Sequence, residues 1–594
     1  MQTYAAPLRD MRFLLNELHP EPAPLPGHED ATPDVIDAIL EEAGKFATGT
    51  LLPLNASGDA EGCTLENGVV RTPKGFREAY AAFRDAGWTS MAAGPDYGGQ
   101  NLPEPVNKFV EEMICSANFS FGLYPGLTHG AYKAIEHHAS EKLKATYLPK
   151  MVAGVWSGTM CLTEPHCGTD LGLLRTKAVP QADGSYRVSG AKIFISAGEH
   201  DLTENIIHLV LARLPDAPKG VKGISLFLVP KFLPRADGTP GERNGALCTG
   251  LEHKMGIKAS ATCQMTFEDA TGWLVGEPNK GMRAMFTMMN NARLAVGIQG
   301  LGIGEVAYQS AVAYARERGQ GRALSGTKRP ELPADPIIVH PDVRRMLMTM
   351  RAYNEGCRAL GVWVARALDR VALHPDAAVR REAEDFTALM TPVVKALFTD
   401  LGFETANLGV QVHGGHGFIR ETGVEQFVRD GRIAMIYEGT NGVQALDLVG
   451  RKMPAHTGRY LRSFFHPVLA MIDAALEDDD LADLAGPLAK AFGGLQLATA
   501  TIAQKGMADP EEAGAAATDY QRLFGLVALG AMWLQMAKIA GEALANGTDE
   551  PAFYQAKQAT ARFFMARILP QAAGLVAAIR AGKASLMALD EAAF

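Results

Sequence analysis

Between residues 156 and 275 the sequence loses the helical spacing of apolar residues that precedes and follows it. Short β-rich runs replace it, at 186–188, 192–195, 206–211 and 224–229. The pairs Asp183-Gly184, Ser189-Gly190 and Lys219-Gly220 lie between these runs and predict turns that join antiparallel strands. Because strands and helices do not alternate, a doubly wound nucleotide-binding fold is disfavoured.

Helical periodicity returns after about residue 280. Apolar residues recur at helical spacing from Val343 to Val364, which predicts a helix with a buried stripe. The most apolar stretch, Leu523 to Met536, is roughly 14 residues long, whereas a membrane span needs about 20, so we predict a buried helix and no membrane span. The fold class is therefore α+β and mostly α. The predicted domains are an N-terminal extension (1–30), an N-terminal helical domain (31–155), a middle β domain (156–279), a helical bundle (280–458) and an additional helical domain (459–594).

Charge and cysteine content narrow the function classes. The 57 basic and 66 acidic residues give a net charge of −9, so a nucleic-acid partner, which needs a basic face, is not expected. The seven cysteines contain no CxxC pair, and His413 and His416 lack the glutamate of a metalloprotease helix, so we predict neither a disulfide framework nor a metal site. The opening residues lack the apolar core of a secretory signal, which favours a cytoplasmic protein.

Three segments combine residues suited to binding or catalysis. The first, from Cys161 to Asp170, places hydroxyls and a glycine where a loop enters the β region, and such a loop offers donors to a flat polar ring. The second, Lys192 to Gly198, ends a strand in an aromatic and a hydroxyl. In the third, Thr440 or Asn441 could cap the helix predicted to begin at Val443. Each segment alone also fits an ordinary turn or cap.

Glu438 is the most reactive candidate in the third segment. It lies at a loop–helix junction beside apolar neighbours, and such surroundings can raise the pKa of a carboxylate towards that of a useful base. A purely capping role is the alternative.

In this order and spacing, the segments resemble the acyl-CoA dehydrogenase family. The motifs that carry the resemblance are CLTEPHCGTD (161–170), GAKIFISAG (190–198), HKMGIKAS (253–260), GQGRALSG (319–326), QVHGGHGF (411–418) and IYEGTNGVQ (436–444). The resemblance implies an N-terminal helical domain, a middle antiparallel β domain, a C-terminal four-helix bundle and, here, an extra C-terminal helical domain. It also implies FAD as the cofactor.

The resemblance assigns cofactor-binding roles by position. The loop residues Leu162, Thr163, Gly168 and Thr169 would line the flavin and pyrophosphate, and Phe194, Ile195 and Ser196 would flank the isoalloxazine. Residues implied to reach the FAD of a dimer partner are Arg318, Gln320, Gln411, Gly414 and Gly415, and Thr440 would meet the cofactor on the catalytic side. Gln320 and Gly321 replace threonine and phenylalanine of many relatives, and Met160 replaces a frequent aromatic.

The implied reaction is α,β-dehydrogenation of an acyl-CoA thioester. Glu438 would remove the α-proton while flavin N5 accepts the β-hydride, giving a trans-2-enoyl-CoA, and an electron-transferring flavoprotein would take the electrons. Some relatives place the base just before the position of Arg293, but Ala292 stands there in this chain. The residues implied to contact the substrate are Thr169, Asn290, Arg293, Tyr437 and Gly439.

The opening stretch TYAAPLRDMRFLLNEL (3–18) and the extended C-terminus resemble a longer bacterial subgroup of the family. This likeness predicts 3-methylmercaptopropionyl-CoA as the substrate, with a medium- or long-chain fatty acyl-CoA as the alternative. An acyl-CoA oxidase, a binding module without turnover and a flavin monooxygenase are weaker alternatives, and the last two would be expected to lack Glu438. We predict a homodimer, because the extra C-terminal helices could cover the second interface of a tetramer.

Overall fold

The computed structural model describes residues 2–594 and divides the chain into two compact units. Among the described residues, the helical unit comprises 2–41, Pro103–Glu112 and Val296–Phe594, and the sheet unit comprises Glu42–Leu102 and Met113–Ala295.

The described chain contains seventeen α-helices. They are α1 (Leu8–Phe13), α2 (Pro33–Phe46), α3 (Pro53–Glu61), α4 (Phe76–Asp85), α5 (Glu104–Ala117), α6 (Phe119–His138), α7 (Glu141–Val152), α8 (Gly281–Glu317), α9 (Pro341–Leu373), α10 (Ala377–His413), α11 (Glu425–Gly431), α12 (Asn441–Asp447), α13 (Arg459–Leu476), α14 (Ala482–Ala508), α15 (Pro510–Ala545), α16 (Pro551–Phe563) and α17 (Gln571–Ala581). Short 3-10 and π turns extend or join several of them.

The strands belong to the sheet unit. They are β1 (Thr64–Glu66), β2 (Val69–Arg71), β3 (Trp156–Cys161), β4 (Lys177–Pro180), β5 (Tyr186–Ser196), β6 (Asn205–Arg213), β7 (Ile224–Pro230), β8 (Phe232–Pro234), β9 (Pro240–Arg243), β10 (Ala246–Leu251) and β11 (Thr262–Val275). Seven of them form one sheet along the path β10-β11-β5-β4-β6-β3, with β7 paired to β11 and β6. Most of these pairs are antiparallel, whereas β3 runs parallel to β6.

Two of the three predicted turns join antiparallel strands, and one prediction is wrong. Asp183-Gly184 lies between β4 and β5, and Lys219-Gly220 lies between β6 and β7. Ser189-Gly190 instead lies inside β5, where Gly190 pairs with Phe267 of β11. A Cβ atom at Gly190 would lie 2.4 Å from Oγ1 of Thr176. The glycine therefore permits a close backbone approach within a strand, which sequence alone does not distinguish from a turn.

The long apolar stripes lie in the helical unit. The stripe Val343–Val364 is part of α9, and its residues from Met346 onward are buried, as predicted. The stretch Leu523–Met536 is a buried part of α15. By length and apolar composition alone, three described helical stretches are able to cross a membrane: Ala377–Phe418, Pro510–Ala545 and Pro551–Ala581. Their apolar windows are 78%, 83% and 33% buried within the protein, and the absence of a membrane span stays a prediction.

A buried arginine joins four helices of the helical unit. Arg358 of α9 donates to Glu112 of α5 at 2.6 Å, to Glu305 of α8 at 2.8 Å and to Asp10 of α1 at 2.5 Å. Burial raises the pKa of Glu112 to about 7 although Arg358 opposes the shift. Since this folded-state pKa lies above the ordinary value, the proton on Glu112 favours folding at low pH, and that contribution is lost as the pH rises through about 7.

Lys557 of α16 extends this buried network. Its ammonium is fully buried, contacts Asp10 and donates to Glu355 of α9 at 2.7 Å. Removing one partner of such a network leaves an uncompensated buried charge, which typically costs about 3–5 kcal/mol. The network therefore fixes α1 and α16 to the centre of the helical unit.

Candidate functional site

The 161–170 loop follows β3 in the sheet unit, and an ion pair holds it. Glu164 is buried, and its carboxylate accepts from Lys192 of β5 at 2.8 Å, from the Thr176 hydroxyl at 2.6 Å and from the Arg175 N–H at 2.7 Å. Lys192 also donates to the carbonyl of Leu162 at 2.9 Å. The pair therefore fixes the loop backbone and leaves Gly168 and Thr169 exposed.

The structure brings this loop beside the end of β5. The N–H of Ile193 donates to the carbonyl of Thr163 at 2.9 Å, so the loop runs next to Phe194, Ile195 and Ser196. Phe194 has a left-handed backbone, with φ of 58°, and the residue is 59% exposed. A large exposed ring at a strand end offers an apolar face to a planar ligand. The first two predicted flavin segments thus lie together.

Two buried hydroxyls at the same strand end fit a polar ligand. Thr262 of β11 pairs with Ser196. Ser260, the last residue of the 253–260 motif, lies two positions before Thr262. The hydroxyl oxygens of Thr262 and Ser260 are buried, and neither has a hydrogen-bond partner among the described residues. Buried polar atoms usually have partners, so these orphaned hydroxyls indicate that a group outside the chain satisfies them. Together with Phe194, they suit a ring system with a polar edge such as a flavin.

Two predicted substrate residues, Asn290 and Arg293, lie on the first part of α8, whereas Thr169 lies in the 161–170 loop. Arg293 is buried, and its guanidinium lies 3.5 Å from the side-chain oxygen of the exposed Asn290. Ala292, the position of the base in some relatives, lies between them on the same helix. A methyl group cannot accept a proton, so this helix supplies no base at that position.

The base loop, residues 437–440, precedes α12 in the helical unit. Glu438 and Gly439 both have left-handed backbones, with φ of 57° and 84°. A non-glycine residue in this region costs roughly 1–2 kcal/mol, so surrounding contacts must hold Glu438 there. The hydroxyl of Thr440 accepts from the N–H of Val443 at 3.3 Å, which confirms Thr440 as the helix cap. The hydroxyl of Tyr437 donates to Gln299 of α8.

Asn441 connects the base loop to α10. Its amide nitrogen donates to Asp400 at 2.6 Å and to Thr399 at 3.0 Å, and its amide oxygen accepts from the buried Lys395 at 2.8 Å. Burial raises the pKa of Asp400, although Asn441 opposes this. Asn441 was one of two candidate caps, and its side chain instead fixes the start of α12 to α10.

Arg318 and Gln320 lie on an exposed segment after α8 in the same unit. The N–H of Gln320 donates to the carbonyl of Asp335 at 3.0 Å, and the N–H of Asp335 donates to the carbonyl of Gly321 at 2.9 Å. The carboxylate of Asp335 is buried and accepts from the N–H groups of Ala323, Lys328 and Arg329. Burial alone would raise its pKa, but these donors lower the pKa of Asp335 to about 2. An ionised Asp335 thus organises the loop that presents Arg318 and Gln320.

Gln411, Gly414 and Gly415 lie at the end of α10 and in the turn after it. All three are exposed, and a Cβ atom at either glycine would meet nothing within 4 Å. Phe418 is 85% exposed in the same turn. The five residues predicted to serve a partner's cofactor therefore all lie on the surface of the helical unit.

Family profiles match almost the whole chain. The matched descriptions are the N-terminal domain (34–155), the middle domain (159–270) and the C-terminal domain (279–453) of acyl-CoA dehydrogenase, and an acetyl-CoA dehydrogenase C-terminal-like domain (468–590). This chain belongs to the acyl-CoA dehydrogenase family. The family assignment confirms the predicted fold, an enzyme acting on an acyl-CoA and FAD as the cofactor.

Several members of the acyl-CoA dehydrogenase family resemble the whole chain. The 3-methylmercaptopropionyl-CoA dehydrogenase of Ruegeria pomeroyi is 47% identical over 96% of this chain and 96% of its own length. The broad-specificity linear acyl-CoA dehydrogenase FadE5 of Mycobacterium tuberculosis is 35% identical over the full length of both chains. Among solved structures, Caenorhabditis elegans ACDH-11 in complex with C11-CoA has a TM-score of 0.78 at 19% identity, covering 95% of this chain and 91% of its own. This last likeness supports the fold alone.

Sequence reasoning overlooked the residues that hold these acyl-CoA dehydrogenase loops. Lys192 and Glu164 each lie within one of the motifs quoted from the sequence. A charged residue among apolar strand positions marks Lys192, but this pattern does not show that Lys192 pairs with Glu164. Gln444 is the last residue of the 436–444 motif. Its hydrogen bond to the carbonyl of Glu438 depends on the left-handed turn at Glu438, which the sequence does not show. The individual roles predicted for the cofactor and substrate residues stay predictions.

Proposed function

We propose that this chain is a FAD-dependent dehydrogenase that oxidises 3-methylmercaptopropionyl-CoA to the trans-2-enoyl thioester, with Glu438 as the α-proton base. The observation that carries the proposal is the 47% identity to a 3-methylmercaptopropionyl-CoA dehydrogenase over 96% of both chains. The fixed base loop, with a carboxylate at its left-handed residue and alanine at the alternative base position, supports Glu438.

Each group of residues has a distinct task in this reaction. Leu162, Thr163 and the strand end at Phe194 and Ser196 hold the flavin, which supplies the β-hydride acceptor when it is bound. The N–H of Glu438 donates to the thioester carbonyl and acidifies the α-carbon, and one such donor is typically worth about 10²–10³ in rate. The Glu438 carboxylate accepts the α-proton. Orientation of the C–H bonds decides the rate, so the rigidity of the base loop has a direct catalytic value.

The first experiment is Glu438→Gln. General bases contribute about 10²–10⁴, so turnover should fall by at least 100-fold while the yellow FAD spectrum and the melting temperature are retained. Glu477→Gln is the control, since Glu477 is exposed at the end of α13 and lies outside the base loop. Activity of Glu438→Gln within threefold of wild type would show that the base lies elsewhere.

The second experiment addresses the substrate. We expect the kcat/KM for 3-methylmercaptopropionyl-CoA to exceed those for octanoyl- and palmitoyl-CoA, with butyryl-CoA also turned over, because one methylene changes selectivity by only about 10–200-fold. A polarisable thioether suits an apolar pocket that also accepts a short straight chain. FadE5 is named for broad linear acyl-CoA specificity, which favours a fatty acyl-CoA as the second candidate. A tenfold preference for octanoyl- or palmitoyl-CoA would replace the sulfur-containing substrate with a fatty acyl-CoA.

The proposed electron acceptor is an electron-transferring flavoprotein, and the proposed assembly is a cytoplasmic homodimer. Turnover should depend on the flavoprotein, whereas stoichiometric hydrogen peroxide in air would indicate an oxidase. The exposed positions of Arg318, Gln320 and Gln411 support a partner subunit, since side chains that serve a neighbour's cofactor require one two-fold interface. Light scattering should give two chains per particle, and four would contradict the dimer.

A further inference from the structure

The buried side chain of Gln444 contacts the left-handed base loop from its C-terminal side. Gln444 is fully buried in α12, and its amide nitrogen donates to the carbonyl of Glu438 at 3.2 Å and to the carbonyl of Gly439 at 3.1 Å. These are the carbonyls of the two left-handed residues. One amide group thus contacts both peptide units that follow the Glu438 side chain.

Fixing these carbonyls determines the backbone geometry of Glu438. Each peptide unit is planar, so a hydrogen bond to the carbonyl of Glu438 also orients the N–H of Gly439 and sets the ψ angle of Glu438. On the other side, the Tyr437 hydroxyl bonds to Gln299 of α8 and limits movement of the preceding residue. The Glu438 backbone is therefore restrained before and after its side chain.

The orientation of the Gln444 amide follows from its acceptors. Two carbonyl oxygens face the amide nitrogen, and a flipped amide would place its own oxygen against both of them. The amide oxygen Oε1 is buried and has no hydrogen-bond partner among the described residues, so no competing donor favours the flipped form. The position requires a hydrogen-bond donor, and methionine, which has a similar size, lacks one.

We propose that Gln444 is a positioning residue for α-proton removal. By holding the left-handed turn at Glu438 and Gly439, it fixes the backbone from which the carboxylate that takes the α-proton extends. The proposal rests on the proposed function of Glu438 as the base. Gln444 acts through the backbone of Glu438 and takes no part in proton transfer itself.

The test uses the FAD-loaded full chain with Gln444→Met and Gln444→Leu, which remove the donor and keep an apolar side chain at this buried position. The matched control is Gln521→Met, since Gln521 is also a buried glutamine of the helical unit whose amide donates to a backbone carbonyl, that of Pro392 at 2.7 Å. Each variant is assayed for kcat, KM, melting temperature and exchange of the substrate α-proton with D2O. Exchange is measured by mass spectrometry on a 3-thia thioester, which has no β-hydrogen to transfer.

We expect both Gln444 variants to lower kcat and the α-exchange rate together by about 10–100-fold, because small misplacements of a reacting group have effects of this size. KM should stay within threefold and FAD should remain bound. Gln521→Met should lower the melting temperature and leave the exchange rate unchanged. If the Gln444 substitutions prevent folding, Gln444→Asn, which keeps the donor but shortens its reach, should show the same coupled loss to a smaller degree.

The outcomes separate this inference from the proposed function. If wild type exchanges the α-proton and Glu438→Gln does not, Glu438 is the base; exchange by the Gln444 variants within threefold of wild type would then overturn the positioning role alone. If Glu438→Gln exchanges as fast as wild type, the proposed base fails, and the inference fails with it. A loss of melting temperature with an unchanged exchange rate would make Gln444 purely structural.

Discussion

The 161–170 loop of the sheet unit and the base loop of the helical unit are both held by buried side chains, but by different chemistry. An ammonium–carboxylate pair, Lys192 and Glu164, directly bonds the backbone of the first loop. The amide of Gln444 bonds the backbone of the second, and the amide of Asn441, next to the loop, bonds Lys395 and Asp400 of α10.

This difference has an electrostatic consequence. A charge near a carboxylate shifts its pKa, and the effect is larger where the surroundings exclude water. The amide of Gln444 is neutral, so it restrains the base loop without itself adding a charge beside the base. A loop that offers hydroxyls and N–H groups to a cofactor presents no base, so a stronger ionic anchor is suitable there.

The largest effect that distinguishes the two loops is expected for Lys192→Met. It leaves the buried Glu164 carboxylate without its ammonium partner, and breaking such a pair typically costs about 3–5 kcal/mol. The melting temperature should fall, and FAD should dissociate more readily because the 161–170 loop loses its anchor. Lys231→Met is the control, since the partner carboxylate, Glu199, retains Arg243 at 3.1 Å. Equal losses of FAD affinity in both variants would mean that the Lys192 pair has no special role at the loop.

A smaller effect is expected from acid. Burial alone would raise the pKa of Glu164, but Lys192 and the donors at Thr176 and Arg175 outweigh it and lower the pKa. A lowered folded-state pKa gives stability that is present above the ordinary value of 4.5 and is lost as the pH falls through the folded value. FAD retention measured by absorbance should therefore decline in wild type below about pH 4.5. Glu164→Gln should retain FAD less well at pH 7 but change less with acid; parallel pH curves would contradict the ionic anchor.

The smallest effect is expected for Thr440→Ala at the base loop. Loss of a helix cap typically costs about 1 kcal/mol. The melting temperature should fall slightly and turnover should fall modestly, because Gln444 and Asn441 still hold the loop. Thr548→Ala is a suitable control, as that hydroxyl accepts from the N–H of Glu550 on an exposed turn. If Thr440→Ala lowered the melting temperature more than Lys192→Met does, the helix cap would stabilise the protein more than the ion pair, contrary to this prediction.

Local patterns predicted much of the fold. Helical spacing predicted α9, the apolar run at 523–536 predicted the buried part of α15, and the β-rich runs correspond to β5, β6 and β7. The turn predicted at Ser189-Gly190 was wrong because the sequence does not distinguish a glycine that permits close packing from a glycine that permits a turn. Register and the parallel pairing of β3 with β6 depend on which distant strands meet, and no local pattern encodes that.

The site divides in the same way. The residue types and motif spacing predicted roles for Glu438, Thr440 and the loop hydroxyls, and the structure confirms the capping role of Thr440. The contacts that hold them were not predicted, because Lys192 meets Glu164 across 28 positions and Asn441 meets Asp400 across 41. Contacts between residues so far apart in the sequence are recognised only in the folded structure.

The buried hydrogen bond between Asp10 and Lys557 joins residues that are 547 positions apart in the sequence. The ribosome therefore makes Lys557 long after Asp10. At about 5–20 residues per second, Lys557 is made roughly 30–110 s after Asp10. During that interval Arg358, once made, is the only one of the two cations available to Asp10, Glu112 and Glu305. In a chain whose synthesis stalls before α16, Asp10 and Glu355 would lack the ammonium of Lys557 that contacts them in the folded protein. We expect such chains to depend on chaperones until α16 emerges.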